Sequence, residues 1–172
     1  MNWTEGRQEM SSDRPWLDQL RQSSAALQGV LAALLEAERQ FAPPASPLQR
    51  LQQITTSPEW AWLQPLYRLI ADLDHALAYA KDLPASESAA IGAHARELLT
   101  GGGGPSEQAF LDHYRALLQS DPAVAMAHAA ALRALQALPP EAANESERLH
   151  ARHQWNERRR FLRMGQSGRG AS

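Results

Sequence analysis

The chain has 172 residues, 44% of them apolar and 21% charged, with a net charge of −2, which is the size and composition of one ordinary globular domain. It contains no cysteine, and that excludes a disulfide scaffold, thiolate zinc or iron–sulfur sites and a cysteine nucleophile. No uncharged apolar stretch reaches 18 residues; the most apolar run, Ala25–Leu35, has 11 and includes Gln28, so no membrane span is expected.

Residues 1–13 carry both charge signs and no apolar core. They read as a disordered N-terminus without a secretory signal, and a cytoplasmic location is expected. Leu17, Leu20, Ser24, Leu27, Leu31, Leu34, Glu38 and Phe41 follow at steps of three and four, an apolar stripe of near-heptad spacing that predicts a long first helix. Asp13 and Pro15 signal its start and Pro43-Pro44 its end. Ser46-Pro47 opens a short second helix with Leu48, Leu51 and Ile54 three apart. Ser57-Pro58-Glu59 repeats the start signal for a third helix carrying Trp60, Leu63, Tyr67, Ile70 and Leu77, closed by Pro84. Pro65 inside it predicts a kink near residues 61–65.

Ser86 is expected to start a weaker helix over Glu87–Leu99, and Gly101–Gly104 to break it. Ser106 then caps a helix using Phe110, Leu111, Tyr114, Leu117 and Leu118. Asp121-Pro122 caps another with Val124, His128, Ala131, Leu135 and Leu138, stopped by Pro139-Pro140. Glu145–Arg163 has the length of one more helix, although Leu149, Trp155, Phe161 and Leu162 form no continuous stripe. No segment alternates apolar and polar residues as a strand would. The predicted fold is all-α: a bundle of about six helices with antiparallel up-down neighbours over 14–139, followed over 140–172 by a basic helix and disordered tail.

Charge is unevenly placed. From Glu145 to Ser172 seven arginines face three glutamates, a balance of +4, whereas the preceding 144 residues carry −6. Arg152, Arg158, Arg159, Arg160 and Arg163, with Trp155 among them, could track a nucleic-acid backbone with bases stacked on the rings. Alternatively they could dock on the acidic body of the chain or of a second copy, or remain a solvated tail.

The densest aromatic segment is Trp60-Ala61-Trp62 with Leu63, Pro65, Leu66 and Tyr67. It reads as core packing, or as the wall of an apolar pocket that binds a ligand or partner together with Asp74 and His75. Asp72 and His75, three apart on one helical face, loosely match the Glu-x-x-His spacing of di-iron bundles, but no second motif of the right order lies in the bundle, so no metal or other cofactor is expected. His128 on an apolar stripe reads as a hydrogen-bonded core residue. The four glycines lack the Gly-Lys-Ser/Thr ending and preceding strand of a phosphate loop, which leaves a linker. No serine stands in a Gly-x-Ser-x-Gly context.

The segments LLEAER at 34–39, SPEWAWLQPLYRLIADLDHAL at 57–77, ARELLTG at 95–101 and FLDHYRALLQSDPAVAMAHAAALRAL at 110–135 resemble a family of all-helical bacterial conserved hypothetical proteins. The likeness covers about residues 17–138, with the PEWAWLQPL start as its most specific part and Asp72-Leu73-Asp74 in the family's acidic turn. It implies a compact helical domain and assigns no activity. The leading expectation is therefore a non-enzymatic interaction or regulatory module that binds protein or self-associates. A small-molecule-binding protein with a pocket beside the Trp60–Leu77 helix is the alternative, and nucleic-acid contact through the Arg-rich tail a third.

Overall fold

The near-heptad stripe is the face that the first helix buries. In the computed structural model, which describes residues 14–39, 46, 48, 49, 52, 56–79 and 82–167, helix α1 spans Pro15–Arg39. Leu20, Leu27 and Leu34, seven residues apart, are fully buried on it, with Val30 and Ala37 beside them. The other helices are α2 (Gln64–Tyr79), α3 (Ala85–Thr100), α4 (Gln108–Ser120), α5 (Pro122–Gln136) and α6 (Glu145–Ser167), with 3-10 turns at Pro58–Leu63 and Pro105–Glu107. The described residues contain no strand, and the fold is the all-α bundle that the periodicity predicts.

Specific polar contacts set the helix directions. Trp16 Nε1 donates to the Leu83 carbonyl at 3.0 Å, and farther along α1 the Ser24 hydroxyl and the Gln28 amide both donate to Asp74 of α2. These contacts run in opposite order along the two segments, so α1 and α2 are antiparallel. The broadest packing is between α1 and α5, where Val124, Ala131 and Leu135 turn inward at helical spacing. Helix α4 joins this pair through Phe110 and Tyr114, stacked at 5.1 Å.

Several local expectations are corrected. Pro65 does not kink a continuous helix. The chain runs as a 3-10 turn through Leu63, and Pro65 stands in the first turn of α2, where its missing N–H breaks no helical bond. Ser57 takes the extended N-cap conformation but makes no side-chain cap bond. Helix α3 starts at Ala85 with Pro84 as its uncapped N-terminus, so neither Ser86 nor, at the next turn, Ser106 acts as the cap. Asp121 does: its carboxylate accepts from the Ala123 and Val124 amides at 2.8 and 3.3 Å. Asn144 caps α6 in the same way through Ser146 and Glu147. Ser46 and Gln49 exchange reciprocal bonds of 3.1 and 3.2 Å, the pattern of a capping box; Pro47, Leu51 and Ile54 of the expected short second helix, and likewise Asp13, Pro43 and Pro44, lie outside the described residues.

The helix expected to be weak is deeply set. Ten residues of α3, from Glu87 to Leu99, are buried. The weak amphipathic pattern of its Ala-rich sequence arises because it is covered on several sides. It ends at Gly101, whose φ of 105° allows the Gly101 and Gly102 amides to return to the Glu97 carbonyl at 2.9 Å.

Candidate functional site

Helix α6 lies antiparallel along α3 and reaches α2. Its contact face is made of Ala151, Trp155 and Leu162 at helical spacing, the first two buried and the third partly so. Four arginines flank that stripe, and each meets a carboxylate from a distant part of the chain. Arg152 places Nε and Nη2 on the two oxygens of Glu141 at 2.7 and 2.8 Å, and Nη2 also reaches Glu97 at 2.8 Å. Arg158 engages both oxygens of Glu87. Arg159 and Arg163 share one oxygen of Asp72 at 2.7 and 2.9 Å. Glu87 and Asp72 are both buried, so their charges require these partners.

The pairing shows in the protonation of the groups. The hydrogen bond from Arg152 holds the Glu141 carboxyl below its ordinary range, and the bonds from Glu141 and Glu87 hold Arg152 and Arg158 still more firmly protonated. His94 sits in the middle of the seam. Trp155 Nε1 donates to its Nδ1 at 3.4 Å, Glu107 lies 3.6 Å from its Nε2, and Arg159 stacks over Trp155 at 5.7 Å. Burial first, then the positive charge of Arg159, pushes His94 down to about 4. It is therefore neutral near pH 7, and a proton on Nε2 suits both neighbours. Burial raises Glu107 above the usual carboxylate range.

The outer edge of α6 is built differently. An open groove of about 600 Å³ runs beside the first turn of α3, lined by Asp82, Pro84, Glu87, Glu157, Arg158 and Phe161 among others. The Phe161 ring is 77% exposed, and Met164, three residues on, is 76% exposed. A second cavity of about 260 Å³ adjoins the same helix at Ser86, Glu141, Glu147 and Arg148. Arg160 points outward and pairs with Glu157, three residues before it, at 2.8 Å.

The aromatic segment noted in the sequence faces elsewhere. Trp62 stacks on His113 at 3.9 Å and, more distantly, on Phe110 at 6.2 Å, while His113 Nε2 meets Glu38 at 2.6 Å. Trp60 and Tyr67 are partly buried against the core. Asp74 accepts from Ser24 and Gln28, and His75 packs against Tyr79 at 4.5 Å. None of these five residues lines the 600 or 260 Å³ spaces. His128 bonds to the Tyr114 hydroxyl at 2.7 Å; burial lowers the imidazole and raises the phenol. Gly101, Gly103 and Gly104 border a space of about 10 Å³, room for about one water. Among the described residues no group of three or more His, Asp or Glu is placed to hold a metal ion, and no helix is long and apolar enough to cross a membrane.

Sequence reasoning missed Glu87, Glu97, Glu141 and His94 as partners of the basic helix, and Asp82 with Phe161 as the borders of a groove. One signal was present: Arg152, Arg159 and Arg163 recur at steps of seven and four, which places them on one helical face. Comparison with protein-family models, with curated proteins and with solved structures finds no match.

Proposed function

We propose that the chain is a non-catalytic interaction module that presents the α3–α6 groove to a segment of a partner protein. The observation that carries this reading is Phe161, a large aromatic side chain left in water at the border of an open groove, in a chain that buries Phe110, Tyr114 and Trp155. Contiguous exposed apolar side chains beside a concavity mark a docking surface, and Met164, three residues on and equally exposed, stands next to Phe161 on the helix.

Two further features support it. His94, His113 and His128 are engaged by Trp155, Glu38 and Tyr114 respectively, and among the described residues none is bonded to a serine or threonine hydroxyl, the pairing a hydrolytic nucleophile needs. Arg152, Arg158, Arg159 and Arg163 are all drawn onto carboxylates of the bundle, which weighs against phosphate contact through that helix. A homodimer of standard size would cover about 800 Å² per copy. Among the described residues the other exposed large apolar side chains are Leu149 and Met164 on α6, Tyr79 on α2, Met126 on α5 and Leu48; of the whole set only Phe161 borders the 600 Å³ groove, so a partner segment fits that small patch better than a second copy.

The test is selection of a random peptide library on the full chain, with Phe161→Glu as the counter-target. Peptides that enrich on the native chain and bind the variant poorly support the reading. Absence of enrichment, equal binding to both, or a dimer in light scattering that Phe161→Glu dissolves would overturn it.

A further inference from the structure

We infer that the segment received by this groove is basic, with an arginine or lysine side chain held beside an apolar one. This rests on the interaction reading above and names the chemistry of the partner.

The charge balance of the groove carries the argument. Three carboxylates border it, those of Asp82, Glu87 and Glu157, against the single guanidinium of Arg158. That guanidinium is held by Glu87 through two hydrogen bonds, at 2.7 and 2.9 Å, and Glu87 itself is only 1% exposed. The pair is neutral as a unit and forms the inner border. Asp82 and Glu157 then give the accessible part of the groove a negative charge. Asp82 is exposed, and Glu157 pairs with Arg160 three residues away, with both side chains at least half exposed. A surface pair of that kind is weak and exchanges readily with an incoming cation.

The apolar half of the specificity comes from Phe161 and Pro84. An exposed aromatic face next to two carboxylates accepts a guanidinium or ammonium by cation–π attraction while its edge packs against aliphatic groups. An acidic segment would meet the same carboxylates as repulsion, so the groove discriminates by charge as well as by shape. Its extent favours a chain segment over a small metabolite. The 260 Å³ space and the 600 Å³ groove together engage α6 from Glu147 to Phe161, roughly 21 Å at the helical rise.

The probes are two labelled twelve-residue peptides with the same leucine spacing, one with arginine and one with glutamate at the polar positions. Each is titrated by fluorescence anisotropy into the full chain at low and moderate salt. The arginine peptide is expected to bind, to weaken severalfold with salt, and to lose about tenfold in affinity with Asp82→Asn/Glu157→Gln and again with Phe161→Ser. Asp112→Asn, an exposed carboxylate on α4, is expected to leave it unchanged. Failure of the arginine peptide to bind, or equal loss with Asp112→Asn, overturns the inference. Binding of the glutamate peptide that Phe161→Ser abolishes also overturns it, yet leaves the interaction module standing; only failure of the library selection removes both.

Discussion

Arg158 on α6 grips both carboxylate oxygens of Glu87 in the first turn of α3, across 71 residues of chain, and Glu87 is almost wholly removed from water. The geometry is the parallel two-bond fork that suits guanidinium and carboxylate. A carboxylate at a helix N-terminus is also favoured by the helix dipole. Breaking a buried pair by removing one partner typically costs about 3–5 kcal/mol, because the other charge is left unpaired. Arg158→Met is therefore expected to destabilise the chain by an amount near the low end of that range, since Arg158 keeps some contact with solvent. Arg158→Met combined with Glu87→Leu should recover much of the loss. Urea unfolding of the three variants checks this; additive losses in the double variant would contradict it.

Trp155 supplies the main apolar anchor of the same helix, 2% exposed between His94 and Arg159. Trp155→Ala is expected to cost about 3–5 kcal/mol, and to do so mainly by releasing α6. Circular dichroism should then show a partial loss of helix, with the remaining bundle still melting cooperatively. A variant with unchanged stability would mean that the indole is not the anchor.

Stability should fall with acid through His94. Its folded value of about 4 lies below the ordinary 6.5, so the unfolded chain binds the proton first and the contribution is lost as pH drops from about 6.5 toward 4. The groups facing it are Arg152, Arg159 and Arg163 from α6, Asp72 from α2 and Glu107 from the 3-10 turn. Glu141, held low by Arg152, adds a loss of the same sign at lower pH. Glu107, held high by burial, opposes both by disfavouring the fold as pH rises through the carboxylate range. The His94 shift corresponds to roughly 3 kcal/mol. His94→Gln is expected to flatten the stability profile between pH 6.5 and 4; an unchanged slope in that variant would assign the effect to the carboxylates alone.

How much of this could be read in advance differs sharply between α1 and α6. Leu20, Leu27 and Leu34 announce α1 because each buries the same kind of surface at a constant step, a property of local sequence alone. The Asp121 cap was legible for the same reason, since donor and acceptor lie within three residues. Helix α6 offers only Ala151, Trp155 and Leu162 on its contact face, too few and too unlike one another to stand out in the sequence. It binds through Arg–carboxylate pairs such as Arg159 with Asp72, 87 residues apart, and a charge on a helix looks the same in sequence whether it faces water or a buried partner. The Trp60–Trp62 segment was legible only in part. Its aromatic density fits core packing or a pocket wall alike, and Trp62 is stacked on His113, a partner on α4 that no spacing rule identifies.

Ser88 carries a buried hydroxyl with no hydrogen-bond partner among the described residues. Such a group pays its desolvation without return, so Ser88→Ala is expected to raise stability by about 1 kcal/mol. A thermal melt shifted downward would reveal a partner for the hydroxyl in solution.

Gly101 closes α3 with φ at 105°, and an added Cβ there would stand 2.6 Å from Arg115 Nη2. Gly101→Ala is expected to cost about 1–2 kcal/mol from the left-handed backbone alone, with Gly101→Asn milder. Equal stability of all three chains would show that the turn relaxes.

Amide hydrogen exchange over Ala151–Arg160 in the full chain bears most directly on whether the basic helix belongs to the bundle. Protection within reach of that seen for Ile91–Leu99 of α3 is the predicted result, because the Glu87, Asp72 and Trp155 contacts can open only with the seam itself. Complete exchange of α6 within seconds, while α3 stays protected, would leave the arginines in water and contradict the account.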